Sequence, residues 1–161
     1  MYLKLIFLIK AAYRRYTMMF GMWILPFSFM RVIILRVCGV KVGRGCYIGF
    51  NVACDTNYPE LIKIGNNVTI SHNCILITHT QTPCRSWLGS LYKIQAPIEI
   101  GNGAWIGANA ILLPGVNVAE NSMVAAGSVV TKSTDKYSLW AGNPCRRIKS
   151  LEANDSIHGD E

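Results

Sequence analysis

Three histidines, His72, His79 and His158, are the side chains of this sequence best suited to exchange a proton near neutral pH, because the unperturbed pKa of histidine is about 6.5. His158 belongs to the polar, acidic stretch 151–161, for which we expect no fixed structure. His72 stands in a Ser-His-Asn corner of a regular repeat and is predicted to be structural. His79 lies where that repeat is interrupted by the segment 80–96. It is therefore our candidate general base.

Four cations beyond the last repeat form a second candidate group: Lys132, Arg146, Arg147 and Lys149. Ammonium and guanidinium groups are the usual protein partners of phosphate. On charge alone, a phosphate site and an ordinary solvated surface explain this cluster equally well.

The interrupting segment 80–96 is a third candidate region. The aliphatic register of the repeat, which ends at Leu76, returns in phase at Ile100, so we expect the segment to be a loop thrown out of the repeat. Loops of this length in a compact domain are often functional. This one contains Arg85 and Trp87, which are suited to holding a polar, ring-shaped ligand.

A period of six defines the element that must position these side chains. Aliphatic residues recur at this spacing through 98–133, at Ile100, Ile106, Leu112, Val118, Val124 and Val130. Shorter runs of the same period precede them, at Ile64, Ile70 and Leu76 and at Val42 and Ile48. Such regularity is the sign of a repeat architecture.

A period of six matches neither a helix face nor an amphipathic strand. It predicts a coil of short strands with a corner at each repeat and one inward aliphatic side chain per side. Three sides give a coil of about 18 residues, so 98–133 supplies two complete coils. An antiparallel sandwich is the disfavoured alternative. Glycine and asparagine tolerate the positive φ of corners, and we expect corners near Asn66, Asn67, Asn73, Asn102, Asn109, Asn117 and Asn121.

The N-terminal segment 1–38 is apolar and basic, and we expect it to be helical. Residues 1–45 contain eight Lys or Arg and no Asp or Glu, in a chain of net charge +7. The apolar run 18–30 is short for a membrane span and is interrupted by Pro26. The composition favours a membrane surface over nucleic acid as a partner, through an interfacial helix in 1–36. The alternative is that this segment only caps the open end of the coil.

The overall composition indicates one folded domain in a reducing compartment. A chain of 161 residues with 51% apolar content is long enough for a single sizeable core. The six cysteines include no CxxC pair, so we predict free thiols, no metal site and a cytoplasmic location. We divide the chain into a helical segment 1–38, a repeat domain 39–150 and a tail 151–161.

The repeat block 98–133, followed by AGNPCRRIK at 141–149, resembles the sugar O-acetyltransferases of the hexapeptide-repeat superfamily. This resemblance implies an all-β core folded as a left-handed parallel β-helix. It also implies a homotrimer with active sites between neighbouring subunits, and acetyl-CoA as co-substrate without a metal ion.

The resemblance also implies roles for individual residues. His79 takes the place of the family's catalytic histidine, Asn51 that of an acceptor-contacting asparagine, and Trp105 that of a tryptophan lining the site. We add Arg85 and Trp87 as acceptor contacts. The implied coenzyme A contacts run from an oxyanion-binding backbone amide to the phosphate-binding cations, at Ala108, Ala126, Thr131, Lys132, Arg146 and Lys149. Lys149 stands where the family has an arginine.

Together these expectations predict an acetyl-CoA-dependent O-acetyltransferase acting on a carbohydrate hydroxyl in capsule, exopolysaccharide or lipopolysaccharide biosynthesis. The histidine would act as general base for direct attack on the thioester, without a covalent acyl-enzyme. The apolar, basic N-terminus departs from the polar segment of galactoside and maltose acetyltransferases, and it favours an acceptor at the inner face of a membrane. An acetyltransferase of serine, a nucleotide sugar or an antibiotic, and a non-catalytic scaffold, remain as alternatives.

Overall fold

The chain begins with two helices. We describe the protein from a computed structural model, in which residues 2–80 and 94–151 are described. Helix α1 spans Tyr2–Ile24 and α2 spans Ser28–Val37. The prediction of a helical N-terminus is therefore confirmed. Neither helix among the described residues is long and apolar enough to cross a membrane.

Short strands follow the helices through the rest of the described chain. They are β1 Lys41–Val42, β2 Tyr47–Ile48, β3 Ala53–Cys54, β4 Ile62–Ile64, β5 Thr69–Ile70, β6 Ile75–Leu76, β7 Ile98–Ile100, β8 Trp105–Ile106, β9 Ile111–Leu112, β10 Asn117–Val118, β11 Met123–Val124, β12 Val129–Val130, β13 Ser138–Ala141 and β14 Arg146–Ser150. A 3-10 turn at Pro59–Leu61 precedes β4.

The strands stack into three parallel sheets, one for each side of a coil. Sheet A has the order β1-β4-β7-β10, sheet C has β3-β6-β9-β12, and sheet B has β2-β5-β8-β11-β13 with β14 added antiparallel at its edge. Glu99 of β7 pairs with Asn117 of β10, three repeats later in the chain. This register confirms the predicted parallel, three-sided coil and its period.

The predicted aliphatic column forms the centre of the coil. All six side chains from Ile100 to Val130 at the predicted spacing are buried, as are Ile64, Ile70 and Leu76. Each such side chain contributes about 1.5–3 kcal/mol through removal of apolar surface from water. The buried contacts run from coil to coil, so each coil depends on its neighbours.

Asparagines occupy the corners in left-handed backbone conformations. Asn67, Asn73, Asn109 and Asn121 have φ between 52° and 59°, as predicted from the tolerance of asparagine for this region. Asn117 lies near a corner but not at it, because it begins β10 two residues after Gly115 and its side chain is exposed on sheet A.

The helices cover the end of the coil that β1 and β2 leave open. Met18, Met22 and Leu35 are buried in the same core as the first coil. Arg31 is only 1% exposed, and its Nε donates to the carbonyl of Ile48 at 2.8 Å. Its guanidinium also lies 4.2 Å from the ring centroid of Phe50. The cap expected of this segment is thus present.

Two coils are longer than the regular ones, and both extra lengths fall at the corner between sheets C and A. The first runs from Lys41 to its partner Lys63, and the second from Lys63 to its partner Glu99. The enlarged corner of the first contains 55–61, and that of the second contains 77–97. Because the coils stack, the two enlarged corners lie one above the other.

The second enlarged corner is closed by hydrogen bonds between its two described ends. His79 and Gln95 form an antiparallel bridge. The N–H of Thr80 donates to Ile94 at 2.9 Å, and that of Ala96 donates to Thr78 at 2.9 Å. The chain therefore leaves and re-enters the coil through a hydrogen-bonded neck. Residues 81–93 lie outside the described residues.

Candidate active site

The two enlarged corners place an acidic residue, Asp55, in hydrogen-bonding contact with the candidate base, His79. Cys54 of β3 pairs in register with Leu76 of β6, so the residues that follow these strands emerge side by side. Asp55 follows the first strand directly, and His79 follows the second after a short extension. His79 Nδ1 is hydrogen-bonded to Asp55 Oδ2.

The carboxylate of Asp55 is held by five hydrogen bonds. Oδ2 accepts from the hydroxyl of Thr78 at 2.6 Å, from its backbone N–H at 3.1 Å, and from His79. Oδ1 accepts from the backbone N–H groups of Asn57 at 2.9 Å and Tyr58 at 3.4 Å. The carboxylate oxygens thus organise both corners at once, and the Asp55 side chain is only 3% exposed.

These hydrogen bonds set the ionisation of the pair. Burial by itself raises the pKa of Asp55, but the bonds from Thr78, His79 and the backbone of Asn57 outweigh it, and the pKa lies below its ordinary value. An ionised carboxylate can only accept hydrogen bonds. Nδ1 of His79 therefore carries a proton, and a neutral imidazole presents the lone pair of Nε2 as the base.

His79 lines a cavity of about 250 Å3, together with other residues of the first two coils and Arg15 of α1. The side-chain amide of Asn57 lies 3.3 Å from Nε2, where its N–H can donate to the lone pair. Asn57 is itself held by Arg15, whose Nη2 donates to Oδ1 of Asn57 at 3.1 Å. The ring of Tyr58 meets the imidazole edge-on at 5.2 Å between centroids. The imidazole is thus fixed on three sides.

A cysteine also lines this cavity, but it is not an activated nucleophile. Burial raises the pKa of the Cys54 thiol to about 12, with a further contribution from the neighbouring Asp55 carboxylate. A thiol with such a pKa is un-ionised at neutral pH, and the thiolate is the nucleophilic form. This chemistry favours direct attack over a covalent acyl-enzyme.

The predicted acceptor residues Asn51 and Trp105 lie outside the His79 cavity in a single chain. Asn51 is exposed at the corner after β2 with φ 54°, and its amide donates to Asn73 at 3.1 Å. It lines a second, adjacent cavity of about 160 Å3. Trp105 lies in sheet B, half-exposed, with its indole N–H 3.3 Å from Ser71 Oγ. Arg85 and Trp87 fall among the residues that the structure leaves undescribed.

The predicted coenzyme contacts lie towards the far end of the coil. Ala108 and Ala126 follow β8 and β11 at stacked corners between sheets B and C. A Cβ on Gly107 would lie 2.5 Å from the Ala126 nitrogen, so only glycine lets these corners stack. A Cβ on Gly127 would meet nothing within 4 Å. This corner is therefore open to a ligand.

The predicted phosphate-binding residues follow the last coil. Lys132 is exposed directly after β12, where it follows Thr131, and Arg146 and Lys149 are exposed in β14. The N–H of Cys145 donates to Val129 at 2.8 Å, which brings the start of β14 beside β12. An exposed cationic edge next to an open corner fits the charge and shape of a phosphate-bearing coenzyme.

Arg147, the fourth cation of this cluster, contacts two neighbouring side chains. Its Nε lies 3.4 Å from Asp135, and its NH2 donates to Ser150 at 2.6 Å. It therefore stabilises the end of the fold. Among the described residues, no group of three or more His, Cys, Asp or Glu is placed to hold a metal ion.

Asp55, Asn57 and Thr78 are site residues that the sequence analysis missed. The available signal was position, since Asp55 is the first acidic residue in the chain. It also lies in the enlarged corner at 55–61, where the six-residue spacing is broken, one coil before His79. A residue at such a corner cannot be assigned a neighbour until the length of that coil is known.

The comparisons with known proteins agree with this architecture. The family model described as bacterial transferase hexapeptide (six repeats) matches residues 97–132. The chain is 36% identical over 119 residues to the galactoside O-acetyltransferase of Escherichia coli strain K12, covering 72% of this chain and 56% of that relative. The chain therefore spans little more than half of that relative's length.

Two solved structures extend the likeness to most of the chain. A maltose O-acetyltransferase from Clostridium difficile 630 superposes with a TM-score of 0.70 at 27% identity, covering 90% of this chain and 88% of the other. A galactoside acetyltransferase in complex with coenzyme A superposes with a TM-score of 0.66 at 25% identity, covering 94% and 86% of the two chains.

Proposed function

The chain belongs to the hexapeptide-repeat acyltransferases, and on that premise we propose that it is an acetyl-CoA-dependent O-acetyltransferase acting on a carbohydrate hydroxyl. The observation that carries this proposal is the Asp55–His79 pair, in which Asp55 holds Nδ1 of a histidine that lines a cavity. In this proposal the coil is left-handed, as in the family.

The residues of the site would divide the work of acetyl transfer. The acceptor hydroxyl first replaces the amide of Asn57 as the hydrogen-bond donor to Nε2 of His79. Nε2 then accepts the hydroxyl proton as the acceptor oxygen attacks the thioester carbonyl carbon. Asp55 stabilises the imidazolium that forms. The backbone N–H of Ala108 donates to the oxyanion of the tetrahedral intermediate. His79 then returns the proton to the departing coenzyme A sulfur, which leaves an acetyl ester and a free thiol.

The proposed assembly is a homotrimer with its active sites between subunits. One chain places His79 at the corner between sheets C and A, whereas Trp105 and Ala108 lie on sheet B and at its corner with C. A neighbouring subunit would supply these two residues to the cavity. This division of the site supports an intersubunit location, as the family resemblance implies.

We place the reaction in surface-polysaccharide biosynthesis, at the cytoplasmic face of a cell membrane. The support comes from the helical cap, whose outer side exposes Phe20, Trp23, Phe27 and Phe29 by at least half. Residues 1–54 contain no acidic side chain, so this face would meet an anionic lipid surface without repulsion. Peripheral contact of this kind would bring the site to an acceptor assembled on the membrane.

The test is thiol release from acetyl-CoA with a panel of sugars, oligosaccharides and lipid-linked saccharides. Wild type is expected to release thiol only when an acceptor is present, and His79→Ala to lose roughly 10²–10⁴-fold in kcat. The matched control is His72→Ala, since His72 is an exposed corner histidine outside the cavity. Equal activity of wild type and His79→Ala, with unchanged circular dichroism, would refute the assignment of the base.

A further inference from the structure

A second cavity opens beside the active site, between α1 and the first coil. Three methionines of α1, Met18, Met19 and Met22, form one side, and Val52 and Ala53 contribute to the other. We call this the methionine groove. We propose that it binds the hydrocarbon chain of an acceptor in which a phosphate joins that chain to the saccharide. The proposal rests on the proposed function, because it names the class of acceptor for the same site.

The methionine groove adjoins the His79 cavity. Arg15, Ala53, Cys54 and Thr56 line both. A single molecule can therefore extend from Nε2 of His79 past these shared residues into the groove. A free monosaccharide would fill the first cavity and leave the second empty, whereas a saccharide with an apolar tail would fill both.

Charge at the junction of the two cavities identifies the linking group. Arg15 lines both cavities, and its exposed guanidinium donates to the side chain of Asn57. The neighbouring Arg14 donates to the carbonyl of Asn57 at 3.0 Å. No acidic residue precedes Asp55, and the carboxylate of Asp55 is already occupied by five donors. An anionic link such as phosphate is complementary to this junction.

The walls of the groove suit a flexible chain. Met18 and Met22 are 2% and 3% exposed, whereas Met19 is 56% exposed at the rim. Methionine is unbranched and polarizable, so it adapts to ligands of irregular shape. Beyond Met19, α1 exposes Phe20 and Trp23. Trp23 follows Met19 by one helical turn, so the rim of the groove lies beside the apolar face that is proposed to meet the membrane and from which a lipid tail would enter.

The test follows the methionine methyl groups by NMR in protein labelled with [methyl-13C]methionine. Octyl phosphate, below its micelle concentration, is the probe. We expect saturable shifts of Met18, Met19 and Met22, while Met30 of α2 and Met123 of β11 remain unchanged. Octanol has the hydrocarbon chain without the phosphate, and inorganic phosphate lacks the chain. Each should bind about tenfold or more weakly than octyl phosphate.

The matched variants are Arg15→Gln and Arg44→Gln. Both remove one exposed arginine, but only Arg15 lines the cavities. Arg15→Gln should weaken octyl phosphate about tenfold and leave octanol unchanged, whereas Arg44→Gln should change neither. Equal weakening by both variants would show a general charge effect and overturn the phosphate assignment.

Three other outcomes would overturn the proposal. The first is that the methyl groups of Met18, Met19 and Met22 show no shift with octyl phosphate. The second is that Met30 and Met123 shift by the same amount as these three, which would indicate adsorption to the surface. Alternatively, Met19 would shift on dilution without a probe, which indicates that a second copy covers the groove. The assay requires no acetyl transfer. If octyl phosphate does not bind but acceptor-dependent thiol release is observed, only this inference is refuted. If octyl phosphate binds but no acceptor supports thiol release, only the proposed function is refuted.

Discussion

His79 and Asp55 are hydrogen-bonded although they stand 24 residues apart in the chain, because each follows a strand in one of two stacked coils. The pair therefore exists only when both coils are in register. A helix or hairpin would tie such a pair to local structure, but here the solenoid core holds the geometry. Stability of the coil and orientation of the base are consequently linked.

Replacing Asp55 should affect turnover more than binding. Asp55→Asn removes the anion that fixes the Nδ1 proton and stabilises the imidazolium, so kcat should fall about 10²-fold or more. KM for acetyl-CoA should change little, because Asp55 is a positioning residue that acts through His79 and is not itself a proposed coenzyme contact. Glu99→Gln, which removes an exposed carboxylate paired with Lys63, is the control. A rise in KM with kcat intact would contradict the role.

The same carboxylate should make stability depend on pH in acid. The pKa of Asp55 is lower in the folded chain than its ordinary value, so its stabilisation is complete above that ordinary value, near pH 4. It is lost as pH falls through the folded pKa. Asp55→Asn should cost roughly 2 kcal/mol at pH 7, and the difference from wild type should shrink below pH 4. Urea unfolding at several pH values would measure it, and a difference independent of pH would contradict the shift.

The cationic edge after the last coil should affect the coenzyme selectively. Arg146→Glu or Lys132→Glu should raise KM for acetyl-CoA about tenfold or more and lower kcat less, because each places an anion against phosphate. Lys41→Glu, an exposed lysine on β1 at the opposite end of the coil, is the charge-matched control. If all three charge reversals raise KM equally, the effect would come from the net charge of the protein and not from local contacts with the coenzyme phosphates.

Membrane association should depend on the outer face of the helical cap. Deletion of 1–30 is a poor test, because it removes Met18 and Met22 from the core. Trp23→Ser combined with Phe27→Ser should instead lower binding to anionic vesicles about tenfold or more, and high salt should weaken wild-type binding. Tyr137→Ser, an exposed aromatic residue on the coil, is the control. Unchanged sedimentation with vesicles would remove the membrane proposal.

The coil was predictable from sequence because one physical rule generates it. Each side of the coil needs one inward aliphatic residue and a corner residue that accepts positive φ, so Leu112 and Asn109 could be assigned from spacing alone. Asn117 shows the limit of this reasoning, because asparagine is also stable on an exposed strand face. Composition could not separate these two environments.

The site was less predictable because it depends on departures from that rule. His79 was singled out as a candidate by its position beside the break, whereas Asp55 and Asn57 lie in an enlarged coil whose length follows from tertiary register. The buried Arg31 was missed for a similar reason. Its hydrogen bonds go to carbonyls of Leu25 and Ile48, and no sequence pattern marks a carbonyl as an acceptor for a distant side chain.

The hydrogen-bonded neck at Thr78–Thr80 and Ile94–Ala96 has an evolutionary consequence. The neck joins the two ends of the enlarged corner, so we expect that the intervening sequence can change without destabilising the stacked strands on either side. Because Arg85 and Trp87 of the intervening segment are predicted acceptor contacts, we expect that exchanging this segment between relatives would change the acceptor while leaving the coil intact.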